Sequence, residues 1–179
     1  MMLMALLAAS TCRMNKYGHD TADLPIATAL RDVGELARNG IRIRIRGVVT
    51  YSDAELKLLF VQDASGAIRV NWERRDQPSY HDYVEVEGTL SGNSAEPVLV
   101  ASSLKELGNG PADAPLPASI DTLSPGKLDA HRVELKGVVH SSLIERSGRL
   151  ALAVVCGNRS FRVRVLNYPA STFYRWSIL

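Results

Sequence analysis

Arg42-Ile43-Arg44-Ile45-Arg46-Gly47-Val48-Val49 decides the fold, because Arg132-Val133-Glu134-Leu135-Lys136-Gly137-Val138-Val139 repeats its pattern some ninety residues later. Each stretch alternates apolar with charged residues, and a period of two is a strand with one buried and one wet face. An apolar run follows each (residues 56–61 and 150–155), then a tight polar turn (63–66 and 157–159), then another alternating strand. Self-similarity at this period means two copies of one small β domain.

Working outward from the first copy, strands are expected over residues 41–50, 55–62, 67–72, 82–90 and 98–107, with a connection over 74–80 that could hold a short helix. Asp63-Ala64-Ser65-Gly66 is a hairpin loop with glycine where positive φ is needed. Five strands with a connection between the third and fourth is the order of an OB-type barrel. Parity puts Ile43, Ile45, Phe60, Ile68, Val70, Val84 and Val86 inside. Ahead of the barrel, Ile26, Leu30, Val33 and Leu36 recur at helical spacing, and Asn39-Gly40 ends that helix.

Pro111, Pro115, Pro117 and Pro125 mark a stiff linker. The second copy offers strands over 132–141, 149–156 and 159–167, with Leu150, Leu152, Val154, Phe161, Val163 and Val165 inward. Its fourth and fifth strands are not found. The expected fold is therefore mainly β: tandem OB-like five-stranded barrels, the second incomplete, with a short N-terminal helix. Residues 1–25 read as export signal and lead-in, 26–110 as the first OB-like domain, 111–128 as linker and 129–179 as the second. An incomplete barrel leaves raw edges, so self-association through the second domain is expected.

Of the 179 residues, 46% are hydrophobic and 22% charged, and the formal charge of +2 does not announce a polyanion partner. Arg42, Arg44 and Arg46 share one strand face, and Arg162 and Arg164 another. OB barrels hold single strands by pairing a basic groove with stacking aromatics. Parity turns Tyr51, Trp72 and Phe161 toward the core, however, so nucleic acid is not expected as a partner. The outward set leaves Arg69 and Asn71 on the third strand, with Tyr80 and Tyr83, as ligand-binding candidates.

No GxSxG, HExxH, phosphate-cradling glycine loop or paired-cysteine motif occurs, and His19, His81, His131 and His140 are scattered. No catalytic residue, metal site or cofactor is expected. Asp63 reads as a turn former bonding its own backbone. Cys156 reads as a small buried side chain. Residues 1–11 are almost wholly apolar and end on small residues before Cys12, which suggests an exported, periplasmic or outer-face membrane-associated protein with Cys12 as a lipidation candidate.

Arg44-Ile45-Arg46-Gly47-Val48-Val49-Thr50-Tyr51, Leu59-Phe60-Val61-Gln62-Asp63-Ala64-Ser65-Gly66-Ala67-Ile68-Arg69-Val70, Tyr83-Val84-Glu85-Val86-Glu87-Gly88 and Val133-Glu134-Leu135-Lys136-Gly137-Val138-Val139 bring a family into view. In order and spacing, residues 26–169 resemble the N-terminal sensory region of bacterial membrane-bound sensor histidine kinases. His81-Asp82 stands where that family usually has Gly-Asp. The resemblance implies tandem OB-like domains outside the cytoplasmic membrane, binding a small ligand or a periplasmic protein. The family's phosphoacceptor histidine and ATP-binding residues have no counterparts here. The expected function is a non-catalytic sensory module; the alternative is an OB-fold single-stranded nucleic-acid-binding protein, which outward aromatics would distinguish.

Overall fold

The computed structural model describes residues 21–91, 97–111, 114–123 and 128–165. In chain order the elements are β1 (Ala22–Asp23), α1 (Ile26–Arg31), α2 (Val33–Arg38), β2 (Arg42–Asp53), β3 (Leu58–Gln62), β4 (Ala67–Asn71), β5 (Asp82–Ser91), β6 (Val98–Asn109), β7 (Leu116–Pro117), α3 (Ile120–Leu123), β8 (Val133–Glu134), β9 (Val138–Ile144), β10 (Leu150–Cys156) and β11 (Arg159–Val165). The fold is mainly β, and the first copy is an OB-type barrel. Its sheet runs β1-β2-β3-β4-β6-β5, and a β2–β5 pairing closes it. The β4–β6 pairing is parallel, while β2–β3, β3–β4, β5–β6 and β2–β5 are antiparallel.

Period-two burial builds the interior. Ile43, Ile45, Val49, Leu59, Val61, Ile68, Val70, Val84, Val86 and Leu99 are fully or almost fully buried in one cluster. Ile26, Ala29, Val33 and Leu36 join it from the helical segment. The expected helix over 26–39 is two six-residue helices meeting at Asp32, whose backbone (φ −96°, ψ 12°) leaves helical geometry. The hairpin loop closes through Asp63 N–H donating to Gly66 O at 2.9 Å without the positive φ expected at Gly66, and Asp63 does more than shape its turn. Its Oδ1 accepts from the Ser65 and Gly66 backbone N–H groups, while Oδ2 accepts from Ile26 N–H at 2.9 Å. Pro25 stands at the helix start without a side-chain cap, so this distant carboxylate satisfies an otherwise orphaned donor. The connection after β4 holds no helix; it is pinned instead by Trp72 Nε1–H donating to Asp76 O at 3.0 Å.

Arg44 and Arg46 of the arginine stripe form an ion-pair ladder with the neighbouring strands. Arg44 lies directly opposite Glu87, and Arg46 opposite Glu85. Arg44 Nε donates to Glu87 at 2.7 Å, and Arg46 reaches both Glu85 (2.8 Å) and Asp23 on β1 (2.9 Å). Such pairing across β2 and β5 fixes register and leaves little positive charge for a ligand.

The second copy forms a three-stranded antiparallel sheet in the order β11-β10-β9. Leu150, Leu152 and Val154 are buried there against Val139, Phe161, Val163 and Val165. The two repeated stretches diverge in structure. The first is one continuous strand, β2; the second is split into β8 and β9, and β8 pairs in parallel with β7 of the linker. Gly47 and Gly137, equivalent in the repeat, share one constraint. A Cβ on Gly47 would stand 2.5 Å from Gln62 O, and one on Gly137 would stand 2.6 Å from Val154 Cγ1. Among the described residues no helix is long and apolar enough to cross a membrane.

Candidate functional site

The site begins with an irregularity between β2 and β3. Val48 faces Gln62 and Val49 faces Val61, but the next partners are Tyr51 with Phe60, Ser52 with Leu59 and Asp53 with Leu58. Thr50 is the extra residue of a β-bulge, and one extra residue reverses every side chain beyond it. Two expectations are corrected here. Tyr51 is not on the core side, because the bulge turns it outward. Phe60 is not in the core either: Leu59 and Val61 are completely buried, so Phe60 lies on the opposite face. The Tyr51 and Phe60 rings meet outside the barrel, centroids 5.1 Å apart and tilted by 38°. Trp72 and Phe161 do point inward as parity requires.

A cleft of about 610 Å³ opens over this pair, with Thr50, Tyr51, Phe60, Leu56 and Leu58 on the barrel side. The second copy supplies the facing wall, including Arg132, Glu145, Arg149 and Arg164. Arg149 Nη2 lies 3.0 Å from Asp53 Oδ2 and 3.0 Å from Glu55 Oε2. Arg164 Nε donates to Glu145 at 3.2 Å. Asp53 also accepts from Tyr51 Oη–H and from Leu56 N–H, both at 2.9 Å. Burial pushes the Asp53 carboxyl up, but these donors and the Arg149 charge outweigh it and hold the group below its ordinary value. Burial, with the Asp53 hydrogen bond, pushes the Tyr51 phenol up instead. Arg132 N–H donates to Gln62 Oε1 at 3.3 Å, and the Arg132 guanidinium sits 5.6 Å from the Tyr80 ring centroid.

Leu56 and Leu58 also wall a second groove of about 320 Å³, which carries Lys57, Arg69 and Asn71 and, among the described residues, no acidic one. Arg69 stands directly opposite Phe60 in the β3–β4 register. The two hollows therefore form one strip, aromatic and ion-paired at one end, cationic at the other.

Of the sequence candidates, Arg69 and Asn71 line the cationic groove, and Tyr80 meets the cleft through Arg132. Tyr83 lies on β5 opposite Val48 and lines neither hollow. Cys12 falls outside the described residues. Cys156 is half-exposed rather than buried, with its thiol donating to Lys136 O at 2.7 Å. No cluster of metal-ligating side chains occurs among the described residues. Sequence parity missed Tyr51, Phe60, Asp53 and Arg149. One signal did point to Phe60: the unbroken apolar run Leu58 to Val61 requires contact on both faces of its strand.

No family model matches the chain, and no curated protein matches it. Solved structures do. The Stn1–Ten1 complex of S. pombe is similar at 28% identity and a TM-score of 0.33, over 37% of this chain and 57% of that one. The hypothetical protein ygiW from E. coli is similar at 18% identity and 0.36, over 49% and 90%. An asparaginyl-tRNA synthetase from Entamoeba histolytica, in complex with asparaginyl-adenylate, is similar at 15% identity and 0.40, over 51% and 25%. The expectation of a sensory receptor module is corrected by the Tyr51–Phe60 pair, because outward aromatics are the feature that favours the nucleic-acid alternative over it. The expected exclusion of nucleic acid is not supported either: of the three rings it read as inward, Trp72 and Phe161 are, but Tyr51 is not.

Proposed function

We propose that this chain binds single-stranded nucleic acid along the outer face of β2, β3 and β4. The observation that carries this reading is the Tyr51–Phe60 pair, which the Thr50 bulge places outside the barrel beside a groove holding Lys57 and Arg69. Unpaired bases stack on aromatic rings regardless of sequence, and cations along the same path neutralise the phosphates. The two hollows divide that work. In the cleft Arg149 and Arg164 are already paired with carboxylates, which repel phosphate and favour the base side of a strand. The groove, with two cations and no acid among the described residues, suits the backbone.

Fluorescence anisotropy with labelled oligo(dT), oligo(rU) and a duplex tests the reading. Single strands should bind with dissociation constants of roughly 1–100 µM at physiological salt, weakening as salt rises. Arg69→Ala should reduce the slope of log affinity against log salt by roughly 0.7, as expected for one lost phosphate contact on a single strand. Phe60→Ala should weaken binding by about tenfold with the slope unchanged, because a stacking contact releases no counterions. Absence of binding to any single strand at low salt, or equal binding of the Phe60→Ala variant, overturns it.

A further inference from the structure

Arg132 precedes β8, outside any strand, yet its backbone is pinned on both sides. Its N–H donates to Gln62 Oε1 at 3.3 Å, and its carbonyl accepts from Leu116 N–H at 3.0 Å. Its guanidinium reaches over the Tyr80 ring, 5.6 Å from the centroid. Tyr80 in turn meets the His81 ring in a T-shaped contact, centroids 3.9 Å apart. That turn is tied to β2 beside the bulge, because His81 N–H donates to Val49 O at 3.0 Å. Two residues of the first copy, Gln62 and Tyr80, thus position one arginine of the second.

The position is telling. Arg132 lines the same cleft as Tyr51 and Phe60. Gln62, its anchor, lies two residues beyond Phe60, and both are on the face of β3 away from the buried Leu59 and Val61. Two residues of strand span about 6.6 Å. Bases stack about 3.4 Å apart, so one base between two flanking planes needs about the same span.

We propose that the Arg132 guanidinium, backed by Tyr80, is the second stacking plane of the cleft, with one base of the strand held between it and the Tyr51–Phe60 rings. A guanidinium is flat and delocalised, and bases stack on it as they do on aromatic rings. One of its faces rests on Tyr80, and the base takes the other. The bonds at the Arg132 backbone and the contact with Tyr80 order this plane before the strand arrives, which lowers the entropy lost on binding. The inference rests on the single-strand reading above and adds the wall that the second copy contributes.

Anisotropy on the full chain, with labelled oligo(dT) and an abasic strand of the same length, tests it. The unaltered chain should prefer the strand that carries bases. Arg132→Lys should cut that preference about tenfold, because lysine keeps the charge and loses the plane. Its affinity for the abasic strand and its salt slope should not change, since no phosphate contact is lost. Tyr80 is 48% exposed, so Tyr80→Ala should leave the fold intact. That variant should cut the preference about threefold, and should add nothing once Arg132 is replaced by lysine. An Arg132→Lys variant that weakens on both strands alike shows a merely structural role and overturns the proposal. Equal binding of the two strands by the unaltered chain overturns the stacking reading as a whole. A preference that Phe60→Ala removes and Arg132→Lys leaves intact overturns this inference alone.

Discussion

Arg149 and Asp53 are 96 residues apart in sequence and 3.0 Å apart in space, with their side chains only 12% and 8% exposed. This pair ties the second sheet to the far end of β2, at the mouth of the aromatic cleft. Removing one member of a buried ion pair leaves the other charged and uncompensated, so the pair acts as a latch between the copies.

The latch makes stability depend on pH at both ends of the scale. Asp53 has a folded pKa below its ordinary 3.8. Its contribution is therefore complete above that value and is lost as pH falls through the folded pKa, below about 4. Tyr51 has a folded pKa above its ordinary 10.0, so its contribution is complete below pH 10 and is lost as pH rises further. Thermal unfolding across pH should show a plateau between these limits, and Asp53→Asn should flatten the acid limb.

Arg149→Ala should loosen the second sheet selectively. Amide hydrogen exchange should rise in β9 and β10 while β2, β4 and β5 keep their protection, because only the second sheet depends on this tie. Uniform acceleration would show instead that both copies unfold as one unit.

Gly47 and Gly137 should each resist replacement by alanine. A Cβ at either site meets atoms at about van der Waals overlap, so each variant should lose roughly 1–3 kcal/mol in chemical denaturation. Gly34→Ala, where nothing lies within 4 Å of the added carbon, is the control and should be neutral or stabilising.

Leu59 and its neighbour Phe60 should separate stability from binding. Leu59→Ala empties a fully buried site and should cost about 2–5 kcal/mol. Phe60→Ala, on the half-exposed outer face, should cost less than half as much while losing most of the oligonucleotide affinity. Denaturation and anisotropy on the same two variants settle which face each residue occupies.

Sequence periodicity was enough for the strands of the first barrel and for Ile43, Ile45, Ile68, Val70, Val84 and Val86 inside it, because alternation repeats faithfully while a strand stays regular. It also placed Trp72 and the apolar face of β10 and β11 correctly. It failed at Thr50, where one bulged residue reversed the parity of Tyr51; Phe60 was misassigned separately, within a run apolar on both sides. The candidate site was consequently half legible: Arg69 and Asn71 stood out, while the rings beside them were read as core.

What the sequence by itself determined is the repeat and the barrel order, both properties of local pattern. What only the tertiary structure decided is everything that depends on a distant partner. The same motif became one long strand where β5 was available to pair with it, and a broken one where β7 met only Val133 and Glu134. Arg44 and Arg46 lost their apparent availability to Glu87 and Glu85, whereas Lys57 and Arg69 line a groove with no acid among the described residues. Hydrogen bonds and ion pairs need a complementary group at close range, and which group arrives is fixed only when the chain has folded.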